Sequence, residues 1–342
     1  MSDRRIIGVS PWSNPNYELM REAGIGWVRL GFDFPYRSRL GGEYAEKFTE
    51  DLENARRVAG MGFKIMGVTP LAGVMAYDKG DNMTAWRPHV PEWLGGPGAE
   101  GYYDGYERGC EELGRQTRGL VQMWQVSNEM DIDVFRGPLT REQAARFMLA
   151  GARGIRKGNP EALPGINPAV VSDESRWLYR ELYGRPDTPF GYAGIDGYFG
   201  SWQPGSPQDW IPWIEEIHDI TKQDVLINEW GYSSLGRVAA PPKGELPPGV
   251  NAVCVGHAWT NVWRGAHDPE VQAAYLRIGL KIFATYPHVL GSFIYDWGDD
   301  AVCYHCGQAD CPSECGWGIV DSQGRPKAGY YAVKETVMQY YR

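Results

Sequence analysis

The strongest constraint on this chain is a rhythm. Strand-length apolar runs alternate strictly with helical patterns along its 342 residues. Strands are expected at Ile6–Ser10, Gly26–Leu30, Phe63–Val68, Val121–Val126, Ala162–Val171, Tyr192–Phe199, Asp224–Ile227 and Val289–Trp297. Helices are expected at Tyr17–Ala23, Tyr44–Ala59, Tyr102–Arg118, Arg141–Lys157, Glu174–Tyr183, Asp209–Ile220, Pro269–Tyr286 and Tyr330–Tyr340. Thr140 marks one helix start and Gly60 one helix end. Alternation of this kind requires parallel strands joined by helical crossovers, and eight units close most economically into one (β/α)8 TIM barrel. Residues 1–342 then form a single domain, with long loops after the third, seventh and eighth strands and a Cys-rich insertion at 301–317. An open doubly wound sheet shows the same alternation. It usually carries a Gly-rich phosphate loop after its first strand, and here that place holds SPWSNPN.

Charge narrows the partners. The net charge of -9 argues against nucleic acid and against an anionic membrane surface. No apolar run is long enough to span a bilayer. The start, MSDRRIIGVSPW, lacks the long apolar stretch of a secretory signal, so the chain as given reads as cytoplasmic; one whose signal had been removed would read the same. Fourteen Trp and 20 Tyr fit either a large aromatic core or a cleft in which sugar faces stack on rings.

Two of the apolar runs end alike. WQVSNEMD ends the fourth in Asn128-Glu129, and VLINEWGY ends the seventh in Asn228-Glu229. One Asn-Glu dipeptide is expected by chance roughly once in a chain of this size, so a lone pair means little. Their positions mean more. The two lie 100 residues apart, or three units of about 33 residues, close to the ~31 per unit of a 250-residue barrel. Both carboxyls would then face the C-terminal mouth, where barrel enzymes keep their chemistry. Glycoside hydrolysis uses two such groups flanking one C–O bond. One protonates the leaving oxygen, and in retaining enzymes the other attacks the anomeric carbon. The plainer alternative is that each Glu pairs with a basic neighbour.

These segments resemble the clan A glycoside hydrolases, retaining (β/α)8 enzymes with a Glu at each of those two strand ends. The resemblance covers nearly the whole chain. MREAGIGWVRLGFDF is similar to the clan's second-strand segment, HDPEVQAAYLRIGLKIFATYPHVLGSFIYDW to its last helix and eighth strand, and GWGIVDSQGRPKAGYYAVKE to its closing segment. Carried over, the resemblance implies Glu129 as general acid/base and Glu229 as nucleophile. It implies Asn128 as a partner of the sugar 2-hydroxyl, Arg29 as the cation supporting the nucleophile, and Trp297 as an aromatic floor under the reacting sugar. The sixth strand departs from the pattern. Its GIDGYFGSWQPG has Gly200 where a polar side chain is common, which leaves the subfamily and the sugar open. Strand alternation puts Tyr198 and Trp202 on the face of Asp196, with Tyr198 placed to donate to Glu229 and Trp202 to line the sugar site.

AVCYHCGQADCPSECGWG gathers Cys303, Cys306, Cys311 and Cys315 with spacing C-x2-C-x4-C-x3-C. Four soft ligands this close suit a closed, structural Zn²⁺ site, with His305 able to replace one of them. Two disulfides, if the protein is exported, or four thiols are the alternatives. Catalysis itself calls for no cofactor. Cys110 and Cys254 read as ordinary thiols, and Asp131, Asp133, Asp299 and Asp300 as a solvated acidic rim. The expected function is retaining hydrolysis of β-glycosidic bonds, exo-acting on short oligosaccharides or glycosides. Endo-acting glucanase or mannanase action, transglycosylation, an inactive carbohydrate-binding barrel and a zinc-dependent hydrolase are the rivals. No feature of the chain speaks to oligomeric state.

Overall fold

The computed structural model describes residues 5–78, 83–236, 261–303, 309, 311 and 313–341. Eight parallel strands form the barrel: β1 (Ile6–Val9), β2 (Trp27–Gly31), β3 (Lys64–Val68), β6 (Val121–Gln125), β7 (Leu163–Gly165), β8 (Ala193–Gly197), β9 (Val225–Trp230) and β10 (Val289–Ile294). Their hydrogen-bonded order is β7-β6-β3-β2-β1-β10-β9-β8. Ladders therefore close the wall everywhere except between β7 and β8. The first and last units meet through β1 and β10, Ile6 opposite Gly291 and Val9 opposite Ile294. Two further strands, β4 (Gly73–Asp78) and β5 (Met83–Pro88), make an antiparallel hairpin inside the long loop after β3.

Helices α1 (Tyr17–Glu22), α2 (Glu46–Gly60), α3 (Tyr102–Gln116), α4 (Asp133–Arg136), α5 (Arg141–Gly158), α6 (Asp173–Tyr183), α7 (Trp210–Thr221), α8 (Pro269–Thr285) and α9 (Ala328–Tyr340) follow the strands. Thr140 caps α5 in a reciprocal pair with Gln143, as a Thr three residues before a Gln can. The α3 and α5 backbones approach closely because Gly154 and Gly158 face α3; a Cβ at Gly158 would sit 2.1 Å from the Glu111 carbonyl oxygen. None of the described helices is long and apolar enough to cross a membrane.

Two cores result. The larger lies between strands and helices. The smaller gathers Ile6, Trp27, Met66, Met123, Leu163, Tyr192, Leu226, Leu290 and Phe293, drawn from every barrel strand or, for Tyr192, from just before one. It fills the barrel. Side chains point inward at every second residue. Two residues on from Trp27, Met123 and Leu226 stand Arg29, Gln125 and Asn228. The barrel interior thus turns from apolar to polar within one layer, and that layer is the floor of the mouth.

The fifth strand is shorter than its apolar run implies, Leu163–Gly165 instead of Ala162–Val171. Pro164 and Pro168 carry no N–H, so this stretch keeps only a three-residue ladder with β6 and does not run on as a longer strand. The sixth ends at Gly197, two residues early.

Candidate active site

The polar layer is cross-linked. Arg29 Nε donates to Gln125 Oε1 at 2.9 Å, and Asn228 Nδ2 donates to the same oxygen at 3.1 Å. Asn128 Oδ1 accepts from Arg29 Nη2 (3.1 Å), Gln125 Nε2 (2.9 Å) and Asn167 Nδ2 (2.8 Å). Three donors on one oxygen fix the Asn128 amide and leave its NH₂ as a donor elsewhere.

The two glutamates sit differently on their strands: Glu129 lies beyond the end of β6, while β9 runs past the expected end at Ile227 and takes in Asn228 and Glu229. β6 stops at Gln125, and the chain then takes left-handed conformations at Ser127 (φ 63) and Glu129 (φ 40). Such angles are costly for residues with a Cβ and cluster where function demands them. Here surrounding bonds hold them: Ser127 N donates to Thr69 Oγ1 at 2.9 Å and Glu129 N to Asn167 Oδ1 at 3.4 Å. Glu229 lies within β9, opposite Asp196 of β8, just past a register shift.

The environments of the two glutamates differ. Glu229 Oε1 lies 2.5 Å from Arg29 Nη2, and Glu229 Oε2 accepts from the Tyr198 hydroxyl at 2.6 Å. Both its oxygens are held by donors, one of them a buried cation. Glu129 is half-buried, and among the described residues it forms no ion pair. Desolvation, and then the nearby charges of Glu229 and Asp131, push its carboxyl well above the usual range, although Arg29 pulls the other way. Asp196 is 0% exposed and is raised likewise, first by burial and then by Glu229 and Glu129. Burial and the Glu229 charge also raise the Tyr198 phenol, so it stays a donor.

Arg29, Asn128, Glu129, Tyr198 and Glu229 are thus brought together. Trp297 is not. Its ring is 0% exposed, its Nε1 donates to the Asn14 carbonyl at 3.1 Å, and it meets Tyr330 of α9 edge-on. A ring so enclosed has no face open to a sugar. The aromatic groups next to the site are Tyr295 and Trp317, which meet the Tyr198 ring edge-on at 5.9 and 5.0 Å. Trp202 is half-buried in a turn beyond β8, not on its face, and its carbonyl accepts from Asn261. Gly200 has a physical reason to lack a side chain: its φ is +81, and a Cβ would come 2.7 Å from Trp263.

Two members of the supposed rim are not solvated. Asp131 is buried with Oδ1 on the Ala169 N–H at 2.8 Å, and burial raises it to about 7. Asp299 is buried against Lys327 at 2.8 Å. Asp133, in contrast, is exposed beside Arg136.

In the Cys-rich loop, Cys303, Cys311 and Cys315 are all buried and cluster together, with Leu235 packed on them. Cys306 and His305 lie outside the described residues. Ser233, just past β9, donates to the Cys315 carbonyl at 2.6 Å. The loop is thereby tied to the mouth and delivers Trp317 to Tyr198.

Local sequence did not point to Gln125 or Asn167, and it gave Asp196 a face but no role. A polar residue inside an apolar run, as in VQMWQ, was the available signal.

No protein-family model matches the chain, and a search of curated proteins finds no match. Solved structures do match. A glucosidase from Croceicoccus marinus aligns with TM-score 0.63 and 14% identity over 99% of this chain and 68% of its own. A β-glucuronidase from Bacteroides uniformis aligns with TM-score 0.59 and 16% identity, over 96% of this chain and 34% of its own. A β-galacturonidase from Eisenbergiella tayi bound to galacturonate gives TM-score 0.56 and 16% identity, over 95% and 47%. The chain thus spans about a third of the length of the Bacteroides enzyme. What it shares with these proteins is the (β/α)8 fold of glycosidase barrels.

Proposed function

We propose that this chain is a retaining glycoside hydrolase acting on β-glycosidic bonds. The observation that carries the reading is the contrast between two glutamates at one barrel mouth. Glu229 is ion-paired with Arg29 and bonded by Tyr198, while Glu129 stands without an ion pair among the described residues, in surroundings that favour its acid form. Two carboxyls in such different surroundings at one mouth are what a double displacement needs. Glu229 attacks the anomeric carbon as Glu129 gives its proton to the leaving oxygen. Glu129 then takes a proton from water, whose oxygen displaces Glu229 from the sugar. The Asn128 NH₂ donates to the sugar 2-hydroxyl.

The mouth supports exo-action on short glycosides. Trp86 of the β4–β5 hairpin packs over Gly137, in the loop that follows Glu129, and the Cys-rich loop walls the side beyond β9. The named activities of the matching structures, which include a glucosidase and a β-glucuronidase, agree with a glycoside substrate. A structural Zn²⁺ held by Cys303, Cys306, Cys311 and Cys315 belongs to the same proposal. Its support is the shared burial of the three described cysteines and the all-sulfur donor set, which leaves no open coordination position.

The test is hydrolysis of a panel of aryl β-glycosides by the wild type and by Glu229→Ala. Expected is one preferred sugar, loss of turnover in the variant, and rescue by azide to give the α-glycosyl azide. Folded wild type inactive on every aryl glycoside and short oligosaccharide would end the hydrolase reading. Full activity in Glu229→Ala would end the assignment of the nucleophile.

A further inference from the structure

We propose that His218, Asp224 and His288 form a site for a divalent transition-metal ion on the face of the barrel opposite the mouth. The site is distinct from the Cys-rich loop and owes nothing to the roles of the two glutamates.

Strand register brings two of the three residues side by side. β9 and β10 are parallel neighbours with Val225 opposite Val289. Asp224 and His288 each stand one residue before those partners, where the two strands begin. The Val225 N–H donates to the His288 carbonyl at 2.7 Å and fixes the two backbones together. Strand starts lie at the N-terminal face of a barrel, away from its chemistry. The third residue comes from α7. His218 is in the last turn of that helix, and Lys222 then takes a left-handed conformation (φ 56) that turns the chain into β9. The Lys222 N–H donates to the His218 carbonyl at 2.7 Å and holds the turn. One ligand atom from each of the three side chains lies within 4.8 Å of the other two.

His218 is set up as a ligand. Its Nδ1 is 2.8 Å from the Gln223 carbonyl oxygen. A carbonyl only accepts, so Nδ1 carries the proton and the neutral ring keeps its lone pair on Nε2. A backbone carbonyl on the other ring nitrogen is the usual support of a metal-bound histidine, because it fixes tautomer and ring orientation. His288 Nδ1 stands 3.5 Å from Asp224 Oδ1, so the carboxylate adjoins the second imidazole. The two rings lie face to face, with centroids 3.5 Å apart and planes 15° from parallel. An ion sits close to the plane of each ring that binds it, so coordination requires the pair to fan open. The space for that is present. The His288 side chain is 48% exposed and that of Asp224 54%, and the χ2 torsion of histidine is soft.

The donor set selects the ion. Two imidazoles and a carboxylate suit Zn²⁺, Ni²⁺ or Cu²⁺, whereas Ca²⁺ and Mg²⁺ take oxygen ligands. A bound ion ties the end of α7 to the starts of β9 and β10. Its effect therefore falls on the stability of the barrel and not on turnover.

The experiment is an NMR titration with Ni²⁺ of protein labelled in its histidine rings. The chain has six histidines, and His218→Ala and His288→Ala each identify one signal by its loss. Paramagnetic Ni²⁺ should broaden the His218 and His288 signals at the same concentration. In His288→Ala the His218 signal should need at least ~10-fold more Ni²⁺, and Asp224→Asn, which keeps the shape, should weaken the response of both. Ni²⁺ at about a hundred times its dissociation constant should raise the wild-type Tm by about 4 °C, and that of His288→Ala by less. Broadening of either signal alone, or a His218 response unchanged in His288→Ala, means a lone surface histidine taking up nickel and overturns the shared site. Broadening confined to the other four histidines overturns it too. A Tm gain kept in full by His288→Ala refutes the tie between α7 and the two strands. The titration needs no turnover, so its outcome stands apart from that of the hydrolase reading.

Discussion

Replacing Arg29 by methionine tests whether the polar layer is held by charge pairing. The Arg29 side chain is 4% exposed and that of Glu229 10%, and the guanidinium also serves Gln125 and Asn128. Methionine keeps most of the stem and removes the charge. Breaking a buried pair from one side strands the other charge and costs about 3–5 kcal/mol. For 342 residues at ~2.1 cal/mol/K each, the unfolding entropy is ~0.7 kcal/mol/K, so the Tm should drop by about 4–7 °C. Glu229→Leu strands Arg29 instead and should cost a similar amount. The double variant strands neither, and should lie at least ~1.5 kcal/mol above the sum of the single losses. Urea and thermal unfolding of the four proteins supply the cycle. Losses that add to within about 0.5 kcal/mol would show that the two side chains do not depend on each other, and the argument from pairing would fail.

Tyr198→Phe removes a charge-assisted bond to Glu229 worth about 1.5–3 kcal/mol, and kcat on the preferred aryl glycoside should fall ~10–100-fold with KM little changed; an unaltered kcat contradicts the role. Gly158→Ala forces α3 and α5 apart and should cost about 1–3 kcal/mol, or ~1.5–4 °C in Tm. Gly60→Ala, at a helix position with open space around it, should leave Tm unchanged or raise it, and calorimetry reads both. Stripping metal from the Cys-rich loop should lower Tm and raise KM before it touches kcat, because Trp317 packs on Tyr198. Purified protein without bound zinc, measured by elemental analysis, would remove that site.

The eight-unit rhythm and the two Asn-Glu endings were legible because each is local. Strand periodicity and an abrupt polar ending need no knowledge of neighbours. The Tyr198 bond to Glu229 was legible for the same reason, since Tyr198 follows two residues after Asp196. Trp202 was misplaced because period-two counting ran past the real end of β8 at Gly197. Trp297 was assigned from a resemblance at the end of β10, where Tyr295, two residues earlier, is the ring beside Tyr198. The β4–β5 hairpin passed as loop, although KGDN between Asp78 and Met83 is turn-forming sequence. Gln125, Asn167 and Asp196 form a network only through the pairing of strands far apart in sequence, and no local pattern encodes that.

The gap in the barrel wall bears on the same network. β7 and β8 share no ladder, and Pro164 and Pro168 explain why. Instead, the Gly191 N–H reaches the Pro164 carbonyl and the Asp196 N–H the Pro168 carbonyl, each at 2.8 Å, and Asn167 reaches the Asp196 side chain. Asn167 and Asp196 therefore help close the fold at the point where Asn167 also holds the Glu129 backbone. A regular ladder would have fixed this stretch by backbone pairing alone. Closing it through an amide and a carboxyl ties barrel closure to the polar layer of the mouth, so Asn167→Ala should lower Tm and loosen the Asn128–Glu129 turn together, and an unchanged Tm would refute the tie.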